Sequence, residues 1–259
     1  MMNVDEKTLY PQAAVVREHG RMPLFFAACI LETVALLLSV VTLFVSGAFG
    51  LTSDIASLYQ TNTTLMQVLI YVIAGLSVLF TLLSVAGMWL IRFSAWTSKP
   101  LRPLGFTLAT VSLIADAVLL GIYTVLCGIA CIFSFSFLAL IMLAVEIYLF
   151  VISIREVRFA LSLREIAWKG YTVGYRGDTL RIPLLVLLVL GTISQVIQLF
   201  GSVGDTLRFS VSAAYLDLGL TFAAIAARIC LYIVVSSLIQ SLPCYVGKKC
   251  SADPQQPTQ

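Results

Sequence analysis

Histidine occurs once in these 259 residues, and charged residues make up only 11% of the chain. The lone histidine, His19, removes metal sites built on histidine and nucleophiles activated by a neighbouring imidazole. Six cysteines are present, but Cys127 and Cys131 stand four apart and Cys244 and Cys250 six apart, which is not metal-site spacing. Four apart on a helix is also poor disulfide geometry, and Cys29 and Cys230 read as small core residues. The glycine-rich stretch "KGYTVGYRGDT", Lys169–Thr179, lacks the Gly-Lys-Ser/Thr ending of a phosphate loop. It reads as a turn, with Asp178 or Thr179 capping the helix that follows. "YLDLGL" at Tyr215 lacks the residue order of intramembrane aspartyl proteases, and "NTT" at Asn62 abuts an apolar run too closely for a glycosylation site. Basic residues exceed acidic ones by only 16 to 13, which argues against a nucleic-acid partner. Neither an enzyme nor a bound cofactor is expected.

What the chain does hold is apolar surface. Hydrophobic residues make up 60% of it, against about 45–50% in a soluble domain. A bilayer is the environment that removes the need to bury so much. The expected fold is an all-α integral membrane protein, a bundle of six transmembrane helices spanning about 24–46, 65–91, 104–126, 131–154, 182–200 and 214–240. Residues 1–23 form a cytoplasmic arm and 241–259 a polar tail. Between Leu104 and Ile154 there is no Lys or Arg, and one helix of that length would run roughly 75 Å, more than two bilayers. The tract is therefore broken near "CGIAC", Cys127–Cys131. Without that break the count is five.

Six spans place 14 of the 16 basic residues on one side, whereas five would scatter them. Cytoplasmic loops retain Lys and Arg, so both termini are expected in the cytoplasm and the protein in the plasma membrane. Trp89, Trp96 and Trp168 fall near the same boundary, as interfacial anchors do. The first apolar run exceeds the core of a secretory signal and contains Glu32, so it reads as an uncleaved helix. The segment "VVREHGRMPLFFAACILETVALLLSVV", Val15–Val41, with the basic arm and the long basic penultimate loop, resembles the opening of uncharacterised multi-pass membrane proteins of Firmicutes. That resemblance implies a membrane location and carries no chemistry.

Five ionisable residues fall inside the expected spans: Glu32, Asp116, Glu146, Asp217 and Arg228. An ionised side chain at mid-bilayer costs about 2.5–3.5 kcal/mol on the lenient insertion scale, so each must be paired, neutralised or wet. Asp116 and Arg228 are expected near the midplane. Glu32 and Glu146 fall about 5 Å toward the cytoplasm, and Asp217 about 15 Å toward the outside. Asp116 is then the first-choice partner for Arg228. Each charge lies in a stripe of small and polar residues at helical spacing. These are Ala28, Glu32, Ala35, Ser39, Thr42 and Ser46; Gly105, Ala109, Ser112 and Asp116; and Asp217, Thr221, Ala224 and Arg228. Gly191, Gln195, Gln198 and Ser202 repeat the pattern. Such stripes let helices approach closely in lipid, so the charges face inward.

Two functional readings follow. The surplus of carboxylates over Arg228 suits a small permease-like or channel-like protein that carries a proton or cation. The alternative is a non-transporting component that scaffolds or regulates a membrane complex, with Arg228 clamping the helices. The fourth span is expected to continue past the membrane as a solvated helix end, with Ile154, Val157, Leu161 and Trp168 among Arg155, Arg158, Arg164, Glu156 and Glu165. That stretch suits anionic headgroups or, alternatively, a cytoplasmic protein partner.

Overall fold

The structure, a computed structural model, describes residues 11–47, 63–97, 101–134, 137–170, 172, 180–209 and 211–242. Every described element is an α-helix: α1 (Pro11–Gly20), α2 (Pro23–Gly47), α3 (Thr63–Trp96), α4 (Pro103–Ser134), α5 (Phe137–Lys169), α6 (Arg181–Phe209) and α7 (Val211–Ser241). Local chemistry sets several of these limits. Pro23 and Pro103 each occupy the first helical position, where a missing N–H costs nothing. Gly170 ends α5 at φ 85°, a left-handed conformation that favours glycine. Its N–H returns to Ile166 O at 2.8 Å. The expected caps at Asp178 and Thr179 lie outside the described residues.

Four helices are long and apolar enough to cross a membrane, over Pro23–Val41, Gly75–Trp96, Pro103–Ile129 and Leu218–Ser241. That is fewer than the six spans expected. α6 offers a shorter apolar stretch, Arg181–Ile197. α5 carries Arg155, Glu156, Arg158, Arg164 and Glu165 in its second half.

The break between α4 and α5 falls after Ser134, not at Cys127–Cys131. Gly128 is not a turn residue. It faces the next helix, where a Cβ would lie 3.8 Å from Leu143 Cδ1, and one at Gly121 would lie 2.9 Å from Phe150 Cε2. These two pairings set the register of the hairpin. They put Asp116 level with Glu156, while Glu146 sits about 15 Å farther from the α1 end. Cys127 and Cys131 lie in the last turns of α4 and are not joined in a disulfide.

The six long helices form a ring. α5 packs on α4, α4 on α3, α3 on α2, α2 on α7 and α7 on α6, and α6 meets α5 only slightly. Small residues permit the closest crossings. A Cβ on Gly105 would sit 2.8 Å from Ile91 N and 2.9 Å from Gly87 O, so the α3 and α4 backbones nearly touch. Between α2 and α7, Ala28 and Ala227 are fully buried.

α1 packs on the long helices. It folds across one end of the ring against α3, α7, α5 and α2, with Gln12, Val16, Arg17 and His19 all buried. Arg92 donates to Gly20 O at 2.8 Å and Met22 O at 3.3 Å, satisfying carbonyls at the C-terminal end of α1. His19 Nδ1 donates to Val15 O at 2.9 Å, which leaves Nε2 to accept from Ser237 Oγ at 3.1 Å. Gln12 Oε1 accepts from Thr172 N at 2.8 Å. Thr172 Oγ1 in turn donates to Glu165 at 2.8 Å. Bonds from Lys169 and then Thr172 hold the Glu165 carboxyl below the usual range. Around α1, Val16, Phe106, Phe159, Ile166, Leu180 and Leu238 make one apolar cluster.

Candidate functional site

Two cavities occupy the centre of the ring. One, of about 560 Å³, is lined by Ser39 and Ala35 of α2, Thr81 of α3, Ser112 of α4, Gln195 of α6 and Thr221 of α7. The other, of about 530 Å³, lies on the α1 side and is largely apolar, walled by residues such as Phe25, Ile91, Phe106, Phe159 and Leu187. His19 and Gly20 of α1 form its end. Four residues line both: Glu32, Ser84, Asp116 and Arg228. A charged level therefore separates a polar chamber from an apolar one.

Each helix supplies its part through the small-polar stripes. Ala35 and Ser39 follow Glu32 on α2, Ser112 precedes Asp116 on α4, and Thr221 and Ala224 precede Arg228 on α7. The α3–α4 crossing fixes this side of the site, because Ser112 Oγ donates to Phe80 O at 3.0 Å across it. On α2, Thr33 Oγ1 accepts from Trp89 Nε1 at 3.0 Å, which pins the turn bearing Glu32 to α3.

Arg228 makes no ion pair with a carboxylate of the described residues. Glu32 and Asp116 lie within its electrostatic reach without contact, and both Asp116 and Arg228 are exposed to the cavity space. The expected direct Asp116–Arg228 pair is absent because the guanidinium extends toward α6. A Cβ at Gly191 would meet its Nη1 at 3.2 Å. One turn along from Gly191, the side-chain oxygen of Gln195 is buried without a hydrogen-bond partner. The level shared by the two cavities thus holds two carboxyls and one guanidinium, with one unused acceptor on the polar side.

Of the five residues singled out in the sequence, Glu32, Asp116 and Arg228 meet at this level. Glu146 lines neither cavity. The side chain of Asp217 lies outside the described residues. Glu156 is a member that the sequence reading assigned to a solvated helix end. It lines the apolar cavity beside Asp116. The signal was present in its spacing, since Ile152, Glu156, Phe159, Leu163 and Ile166 recur at alternating intervals of four and three. Ile152, Phe159 and Ile166 are buried, so Glu156 shares the inward face of α5. Ser84 and Thr81 of α3 were likewise not anticipated.

No protein-family model, curated protein or solved structure matches this chain, so the reading of the site rests on its residues alone.

Proposed function

We propose that the protein is a permease-like plasma-membrane protein whose six long helices all cross the bilayer, with both termini and α1 on the cytoplasmic side. The observation that carries this reading is the charged level shared by two stacked cavities. A clamp that only held helices together would bring its charges into contact and close the space around them. Here the charges stand apart, and cavity space remains on both sides of them. Ionisable groups at such a level can take up and release a proton or bind a polar solute. The α1 helix closes the cytoplasmic end, so passage requires it to move. Supporting the orientation, Trp96, Trp168 and the basic residues Arg92, Arg102 and Arg164 all cluster at the α1 end, as positive-inside segments do.

The test is solvent access. In a background without native cysteines, Glu32→Cys and Asp116→Cys in sealed vesicles should react with a water-soluble thiol reagent. The outward-facing Leu37→Cys should not. Glu32→Gln should leave the fold intact and reduce proton or cation flux in reconstituted vesicles. No labelling at either position, together with unchanged flux, would favour the scaffolding component instead.

A further inference from the structure

The composition of the two chambers narrows the ligand class. A small hydrophilic solute needs only the polar chamber, yet an apolar space of similar size opens from the same charged level. We infer that the site binds a single-chain amphiphile with a zwitterionic amine headgroup, its head at Glu32, Asp116 and Arg228 and its chain in the apolar cavity. This rests on the solute-binding reading above and goes further in naming what is bound.

Three features support it. Among the described residues Arg228 has no carboxylate in contact; its Nη1 packs beside Gly191 of α6 while the side chain lines both cavities. A planar guanidinium so placed suits a phosphate or carboxylate held by paired N–H bonds. Glu32 and Asp116, which both line the cavities, can accept from an ammonium, which has three donors and no acceptor capacity. Leaving these groups unmet in a low-dielectric setting costs free energy, so a ligand that meets both signs at once is favoured over one that meets either.

The apolar cavity runs from Arg228 to Leu238 along α7, a length of about 15 Å. A cavity of about 530 Å³ drawn out over that length accommodates a hydrocarbon chain lying lengthwise. Its walls include Ala160 of α5 and Leu184, Leu187 and Leu188 of α6. These are the two helices that touch least around the ring. A chain can therefore enter sideways from the bilayer core between α5 and α6, which a fully hydrophilic solute cannot do.

The test uses the full chain in bilayer discs of phosphatidylglycerol, which carries no amine. A radiolabelled lysophosphatidylethanolamine serves as the probe. Saturable binding is expected. Lysophosphatidylglycerol, with the same chain and no ammonium, should compete at least 10-fold less well. Tailless glycerophosphoethanolamine should also compete at least 10-fold less well. Arg228→Gln should weaken binding at least 10-fold, as should Ala160→Phe and Leu188→Phe, which fill the chain cavity from two different helices. Leu37→Ala, on the outer face, should not. The competitor series needs no variant and so does not depend on whether a substitution folds. Non-saturable binding, equal competition by lysophosphatidylglycerol, or equal competition by the tailless compound overturns the inference. If Glu32→Cys nevertheless labels from water, the permease reading survives and only the ligand class is wrong. If the probe binds but Glu32→Cys stays unlabelled, the ligand class stands and the permease reading falls.

Discussion

Gly105→Ala is the sharpest test of how the ring is held, because it adds a single carbon where two backbones nearly meet. That carbon would lie 2.8 Å from Ile91 N and 2.9 Å from Gly87 O, both main-chain atoms that cannot rotate away. Overpacking of this kind costs about 1–3 kcal/mol. Separating α3 from α4 would also stretch the Ser112 to Phe80 O bond, now 3.0 Å, and losing it costs about 0.5–1.5 kcal/mol. Against this, alanine in place of glycine favours the helix by about 1 kcal/mol. The net expectation is a loss of about 1–3 kcal/mol. Gly75→Ala is the matched control, since a Cβ there meets nothing within 4 Å. It should be neutral or stabilising by up to about 1 kcal/mol. The two variants should therefore differ by about 1–4 kcal/mol in equilibrium unfolding from mixed micelles. Ser112 and Asp116 lie two and three turns beyond Gly105 on α4, so ligand or reagent access to Asp116 should change in Gly105→Ala alone. Equal stability of the two variants would refute the tight crossing and the account of how α4 is positioned.

Removing the His19 imidazole should loosen α1 without unfolding the ring. His19→Ala gives up bonds to Val15 O and Ser237 Oγ, about 1–2 kcal/mol in all. Hydrogen exchange should quicken across Gln12–Gly20 while α3 and α7 keep their protection, and unchanged exchange in α1 would count against its role as a closure. Since Arg228 and Asp116 do not touch, a double-mutant cycle between Arg228→Ala and Asp116→Ala should show coupling below about 1 kcal/mol. A coupling of several kcal/mol would restore the clamp. Reporters active only in the cytoplasm should work when fused after Lys99, Lys169 or Lys249 and fail near Asp54 or Asp205, and activity near Asp205 would break the six-span topology.

Much of the helix content was legible in the sequence, because long apolar runs without charge leave the backbone no alternative in lipid. The inward stripes were legible too. A period near 3.6 places Glu32, Ala35 and Ser39, or Thr221, Ala224 and Arg228, on one face whatever surrounds them. Three things were not legible. Glu156 looked solvated because Arg155 and Arg158 flank it, and only the hairpin register shows that it lies level with Asp116. Burial of α1 depends on groups far away in the chain: Gln12 is met by Thr172, His19 by Ser237, and the Gly20 carbonyl by Arg92. No local pattern announces that a short helix has partners 70 to 220 residues away. Finally, whether Arg228 is paired depends on distances of a few ångströms between helices. The sequence by itself determined which faces turn inward, since that follows from helical periodicity within one segment. The order of helices around the ring, and the gap kept between opposite charges at its centre, were decided only when α3 met α4 and α2 met α7. Those contacts come from shape complementarity between segments, and no single segment contains it.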